Sequence, residues 1–164
     1  MSGPVLGQVI DHAGIAARIP HHGSMCLLDT VQSWSEAAIE CRAVSHTDPT
    51  NPLRSNDQLG AAHGIEYAAQ AMAVHGALLA GAEGPPRQGY LTSVRGVNLH
   101  VTRLDDLPGE LDVRAERLSG DDRNILYQFS VSHQGRCLLE GRAAVVIDAS
   151  AMSSSSSMQK EAPK

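Results

Sequence analysis

The sequence predicts an α+β domain in which a curled antiparallel sheet wraps one long helix. Two patterns carry this expectation. A segment from about Gln58 to Ala80 has helical character and is built largely from Ala and Gly, while the stretch from Tyr90 to Ile147 alternates apolar and polar residues like half-buried strands. A helix and a set of strands that each hide one face bury both patterns when the sheet curls around the helix.

Within the helical segment, Ile65, Ala68, Ala69, Met72, Leu78 and Leu79 are the larger or better buried positions, and Asn56 or Asp57 would cap its start. Ala61, Ala62, Ala71, Ala73, Ala77 and Ala80, with Gly60, Gly64 and Gly76, leave it small on nearly every face. Such a helix suits close enclosure by other elements. Gly in a helix interior costs about 0.5–1 kcal/mol relative to Ala, so a packing or backbone-approach reason is expected at both Gly64 and Gly76.

The strands follow. Leu111, Val113 and Ala115 alternate with Asp112, Arg114 and Glu116. Ile125, Tyr127, Phe129 and Val131 form a second stripe, and Cys137, Leu139, Ala143, Val145 and Ile147 a third. Leu91, Val97, Leu99 and Val101 make a rougher one. Pro108-Gly109, Ser119-Gly120-Asp121 and His133-Gln134-Gly135 carry turn chemistry between them, which predicts an antiparallel meander. Two shorter strands, about Leu27–Ser33 and Ala38–Val44, and an amphipathic segment near Val9–Ile19 precede the helix. An exposed edge strand in such a sheet favours dimerisation.

A chain of 164 residues holds one domain, expected over residues 1–148. The remainder, Ala149–Lys164, contains Ser153–Ser157 in a row and is expected to be disordered. The net charge of -5, with Lys and Arg scattered singly, argues against a nucleic-acid partner. The start has no positive n-region, and no stretch approaches the roughly 18 apolar residues of a membrane span, so a cytoplasmic protein is expected. Cys26, Cys41 and Cys137 are widely separated and read as buried free thiols. The eight histidines form no spacing with Cys or acidic residues that suggests a metal, and no Gly-rich phosphate loop follows a strand. Neither metal nor nucleotide is expected.

Three motifs in order resemble the β-hydroxyacyl-(acyl carrier protein) dehydratases. Ile19-Pro20-His21-His22-Gly23-Ser24-Met25-Cys26-Leu27-Leu28-Asp29-Thr30-Val31 is similar to that family's Pro-His-(basic)-x-x-x-Leu-Leu-x-Asp-x-Val opening. Gly64-Ile65-Glu66-Tyr67-Ala68-Ala69-Gln70-Ala71 resembles its central-helix Glu-Ala-x-Ala-Gln segment, and Leu107-Pro108-Gly109-Glu110-Leu111 its Val-Pro-Gly-Asp-x-Leu turn. Asn51-Pro52-Leu53-Arg54, with Gly64 to Gly76, resembles a divergent branch of dehydratase-like subunits of aryl-polyene type pathways. The resemblance implies the hotdog fold and removal of water from a 3-hydroxyacyl thioester to give the trans-2-enoyl thioester, in fatty acid or polyene biosynthesis. It implies no cofactor beyond the phosphopantetheine of an acyl carrier protein, which would dock on basic residues such as Arg87, Arg95 or Arg103. One departure stands out. The family's His-Phe-Pro loop is not visible, and its position falls at Pro52, beside Asn51.

Dehydration requires a base for the C2 proton and an acid for the departing C3 hydroxyl, which a His and a carboxylic acid supply. The resemblance makes Glu66 the acid, and its Ala, Gly and Ile neighbours suggest a buried carboxyl kept protonated; otherwise it is a structural carboxylate. Gln70, one turn on, would orient the acid, contact substrate or serve structure. For the base, His46 precedes the helix, where the family's His approaches from, and His63 shares the face of Glu66 three positions earlier. His75, nine positions after Glu66, is out of phase and reads as a core or surface residue. His21 and His22 lie in a motif that is mostly architectural and receive no chemistry. The family's thioester carbonyl is held by backbone N–H groups at the helix start, which places them at Ala62 to Gly64. Two other readings stay open. One is a non-catalytic or half-site subunit of a heteromeric dehydratase, suggested by Asn51 where a His is expected, and the other is a hotdog acyl thioesterase.

Overall fold

The computed structural model describes residues 9–21, 23–81, 88–121 and 123–148. His22, Arg87 and the tail from Ala149, each given a reading above, lie outside them. Helix α1 (His12–Ala16) is followed by strands β1 (Thr30–Trp34) and β2 (Ala38–Ala43) and then the long helix α2 (Gly64–Ala80). After it come β3 (Gln88–Leu99), β4 (Leu111–Gly120), β5 (Asn124–His133) and β6 (Arg136–Asp148). All six strands form one antiparallel sheet in the order β1-β2-β4-β5-β6-β3. Its inner face curls over α2, which touches β2, β3, β4 and β5. This is the hotdog arrangement.

The strands alternate as expected. Leu111, Val113 and Ala115 of β4 are buried, as are Ile125, Tyr127, Phe129 and Val131 of β5. They meet Tyr67, Ala68, Ala71, Val74 and Leu78 on α2. Each large side chain removed from water here contributes about 1.5–3 kcal/mol, so the contact between sheet and helix dominates stability. The Gln134-Gly135 turn between β5 and β6 has both residues at positive φ, 50° and 82°, the geometry of a tight hairpin.

Three expectations are corrected. The second half is not a simple meander: β4, β5 and β6 are, but β3 crosses to the far side of β6 and forms the sheet's edge. Pro108-Gly109 therefore belongs to a longer connection that runs past the start of α2, where Leu104 N–H donates to Leu59 O at 2.8 Å. Two register shifts interrupt β3, between Leu91 and Ser93 and between Arg95 and Asn98, which is why its stripe reads poorly. Second, neither Asn56 nor Asp57 caps the helix. With φ of 53° and 60° they form a two-residue turn that pairs Ser55 with Gln58, a conformation that Asn and Asp tolerate better than most residues. A single 3-10 turn, Ala61–His63, then leads into α2.

Third, α2 is not enclosed on all sides. Ile65, Ala69 and Leu79 are half-buried rather than core, and Ala80 is exposed. The two glycines divide accordingly. A Cβ on Gly64 would sit 2.6 Å from Leu139 Cδ2, so the helix start packs on β6 through that missing side chain. A Cβ on Gly76 would meet nothing within 4 Å, and the packing reason expected there is absent among the described residues. Among the described residues no helix is long and apolar enough to cross a membrane.

Candidate active-site groove

The open face of α2 forms one wall of a cavity of about 470 Å³. Glu66, Ala69, Ala73, Gly76 and Ala80 recur along it at helical spacing. The opposite wall is apolar and comes from β3, β5 and β6, with Leu91, Ile125, Val145 and Ile147. Arg18, Pro20 and His21 line it from the segment after α1, and Arg117 of β4 and Asp121 of the β4–β5 turn bring charge. Small residues on the helix keep the space open, and branched residues on the strands keep it apolar. That lining suits an extended aliphatic chain.

Two titratable groups suited to proton transfer share this groove. Glu66 stands in the first turn of α2, where the helix dipole favours negative charge. It is exposed in the single chain, so the expected buried carboxyl is not what one chain alone provides. The cause is topological: the sheet ends at β3, and among the described residues no seventh strand covers this side of the helix. The imidazole of His21 also lines the groove, and its Nδ1 is buried without a hydrogen-bond partner among the described residues. Sequence reasoning assigned His21 no chemistry. Its position in an opening Pro-His motif was the available signal, but the motif does not reveal which element that loop faces.

Of the residues singled out from sequence, Glu66 lines the cavity, whereas His46, His63, Gln70, Gly64, Ala62 and Asn51 do not. Gln70 is buried, and its amide is fully engaged: Oε1 accepts from Leu27 N–H at 2.9 Å and Nε2 donates to Met25 O at 2.7 Å. It ties the loop before β1 to the helix and leaves nothing for substrate. Asn51 is likewise saturated. Its Nδ2 donates to Ser45 O at 2.9 Å and to the Tyr67 hydroxyl at 3.1 Å, while Oδ1 accepts from Leu53 N–H at 2.8 Å. The Tyr67 hydroxyl in turn reaches Ser45 Oγ at 2.8 Å, and Ser45 donates to Leu27 O at 2.8 Å. Every member of this buried network has a partner, which makes it a structural element.

His46 is fully buried, and its Nε2 donates to Leu107 O at 2.8 Å. Burial pushes its pKa down, and its remaining nitrogen is enclosed without a partner. A base so placed does not reach the groove. His63 sits in the 3-10 turn before α2 rather than in its first turn, which shifts its phase, and among the described residues no hydrogen bond joins it to Glu66. The backbone N–H groups of His63 and Gly64 donate to carbonyls of the same turn. Two of the three donors expected to hold a thioester carbonyl are therefore already used, and Gly64 acts in packing. His75, out of phase as expected, is fully buried. Its Nε2 donates to Ser35 O at 2.7 Å, so its Nδ1 accepts from the Tyr127 hydroxyl at 2.7 Å. Burial lowers the His75 pKa and pushes the Tyr127 hydroxyl up to about 12. Although Tyr127 lines the groove, its proton is committed to His75.

The basic residues separate in the same way. Arg103 is paired with Asp105 and lies 4.0 Å from Asp106, so it is not a free docking cation. Arg95 is exposed and sits directly opposite Arg142 on the neighbouring strand. Neither is in an ion pair among the described residues.

Comparison with known proteins agrees with the fold. The description of the ApeP-like dehydratases (ApeP dehydratase) matches residues 13–155. The chain belongs to the ApeP-like dehydratase family. No curated protein matches the chain in sequence. Among solved structures, a chain of the dehydratase heterocomplex ApeI:P from Xenorhabdus doucetiae is similar at 23% identity, covering 81% of this chain and 90% of that one, with a TM-score of 0.71. A mutant thioesterase from Pseudomonas aeruginosa shares the fold at 11% identity over 88% of this chain and 98% of that one, TM-score 0.60. A hypothetical thioesterase with coenzyme A from Streptococcus pneumoniae does so at 11% over 71% and 83%, TM-score 0.53. The likeness of this ApeP-like chain to all three is one of fold.

Proposed function

We propose that the chain acts in dehydration of a 3-hydroxyacyl thioester, with the acyl chain in the groove along α2. The observation that carries this reading is that a carboxyl and an imidazole, Glu66 and His21, line the same apolar cavity. Glu66 as the acid protonates the departing C3 hydroxyl, which leaves as water; His21 accepts the C2 proton. A carboxyl must be protonated to donate, and covering it with apolar surface favours that form. The cover is a second hotdog subunit joined along the open edge of β3, where Tyr90, Leu91 and Leu99 are exposed apolar residues. The ApeI:P heterocomplex is an assembly of two different chains, which supports a heteromeric partner here. The Arg95–Arg142 pair, two like charges facing each other across strands, suits an acidic acyl carrier protein. No metal or organic cofactor is needed for this chemistry.

The test is incubation of the purified protein, alone and with a partner hotdog subunit, with a 3-hydroxyacyl group on its carrier. Enoyl product that Glu66→Gln abolishes is the expected result. Enoyl product that survives both Glu66→Gln and His21→Ala assigns the chemistry to the partner and leaves this chain a half-site subunit. That second reading is favoured by one specific observation: the loop where the family carries its His has Pro52 at that position, beside an Asn51 whose amide is fully engaged. Free thiol without enoyl product overturns the dehydratase reading in favour of a thioesterase.

A further inference from the structure

A second cluster lies away from the groove, on the outer side of β6. His100, Cys137 and Glu140 each offer one ligand atom, and these atoms all fall within 4.8 Å of one another. Their convergence depends on a defect in the sheet. Cys137 and Glu140 are three residues apart, an odd separation that places side chains on opposite faces of a regular strand. Here the register shifts: Val131 pairs with Leu139 but Ser132 with Cys137, leaving Leu138 as an extra residue. Leu138 and Leu139 are both buried, and the flanking Cys137 and Glu140 are turned to the same outer side. The carbonyl of Leu138 accepts from His100 N–H at 2.7 Å. The bulge therefore also fixes the backbone of the third residue, whose Nε2 lies 2.9 Å from Glu140 Oε2. Bulges are used to re-aim side chains next to functional sites.

We propose that His100, Cys137 and Glu140 form a binding site for a borderline-soft divalent cation, of which Zn2+ is the representative. Imidazole, thiolate and carboxylate are the three ligand types that Zn2+ takes, at about 2.0–2.3 Å, which sets the donor atoms roughly 3.3–3.8 Å apart around a tetrahedral ion. The three donor atoms lie within 4.8 Å of one another, so ion binding draws the widest pair together by about 1 Å. On binding, the Cys137 S–H bond breaks, its proton leaves to solvent, and an S–Zn bond forms; Glu140 exchanges its hydrogen bond with His100 for the metal. Three protein ligands leave a fourth position to water. The ion would tie the end of β3 to β6, at the edge of the sheet. Sequence spacing hides the set because His100 reaches Cys137 and Glu140 only through the pairing of β3 with β6. The site does not depend on the groove chemistry.

Co2+ added to untagged, metal-free protein is the direct probe, since a thiolate ligand gives a near-ultraviolet charge-transfer band. The expected result is one Co2+ per chain, a charge-transfer band displaced by Zn2+, and loss of the band with at least about 100-fold weaker binding in Cys137→Ser, as removal of a ligand should exceed the effect of an outer-shell change. Cys26→Ser must keep the band, and His100→Ala must weaken binding with circular dichroism unchanged. Absence of a thiolate band in the native protein, or its persistence in Cys137→Ser, overturns the proposal.

Discussion

The two faces of α2 treat polar groups in opposite ways. On the buried face, Tyr67, Gln70 and His75 sit among Ala, Val and Leu with their side-chain polar atoms hydrogen-bonded. On the open face, Glu66 stands above a row of Ala and Gly and shares its cavity with an imidazole, His21, whose buried Nδ1 has no partner among the described residues. A buried polar group left without a partner costs about 1–3 kcal/mol, so saturation marks groups that hold the fold. Groups left unsaturated beside a cavity remain available for a ligand. By that criterion Gln70 and Asn51 are architectural despite lying in family motifs, and Glu66 and His21 are the pair to which the proposed chemistry is assigned.

The sharpest way to break this comparison is Glu66→Gln. If the open face carries the chemistry, the substitution lowers kcat/KM for enoyl formation by about 10²–10⁴-fold, the usual contribution of a general acid, with the thermal midpoint unchanged. Gln70→Leu should do the reverse. It orphans the Leu27 N–H and the Met25 carbonyl, at about 2–6 kcal/mol for the two, readable in a urea titration. Gly64→Ala belongs with it, since a Cβ 2.6 Å from Leu139 Cδ2 forces the buried Leu139 side chain or the helix start to shift, at about 1–3 kcal/mol. A large loss of activity in Gln70→Leu at temperatures where it stays folded would blur the distinction between the faces.

How much of this was legible in sequence follows from how local each signal is. The period-two stripes of β4, β5 and β6 and the helical segment depend on neighbours a few residues away, so the strands and α2 are visible in the sequence. The place of β3 at the edge depends on a crossover, and its bulges near Ser93 and Gly96 erase the alternation. Glu66 is found through its motif, but its exposure depends on the absence of a strand beside it. His21 illustrates the harder case, because its relation to Glu66 exists only once the segment after α1 packs beside the helix. Gln70 misleads for the same reason: its partners, Met25 and Leu27, are more than forty residues away.

Acid provides a further test of the saturated face. Burial lowers the pKa of both His75 and His46 below the ordinary 6.5, so the native state resists protonation that the unfolded chain accepts. Their contribution to stability is therefore complete above about pH 6.5 and declines as the pH falls from there toward their folded values. Denaturant midpoints measured from pH 7.5 downward should drop across that window, and His75→Gln should flatten part of the slope. A midpoint that holds steady until the carboxylates titrate would show that these imidazoles are less enclosed than the structure has them.

The smallest expected effect tests the open face most closely. Gly76→Ala introduces a methyl where nothing lies within 4 Å, and Ala is favoured over Gly in a helix interior by about 0.5–1 kcal/mol. The isolated chain should therefore gain stability by that amount, with a small rise in thermal midpoint. Because Gly76 lines the groove, the same methyl should raise KM for long acyl thioesters more than for short ones. A helix that tolerates Gly for no packing reason yet loses long-chain substrate when it is replaced would show that the residue is kept small for a ligand. If Gly76→Ala is stabilising and leaves chain-length preference untouched, the acyl chain does not run along this face, and the groove must be assigned to the partner subunit instead.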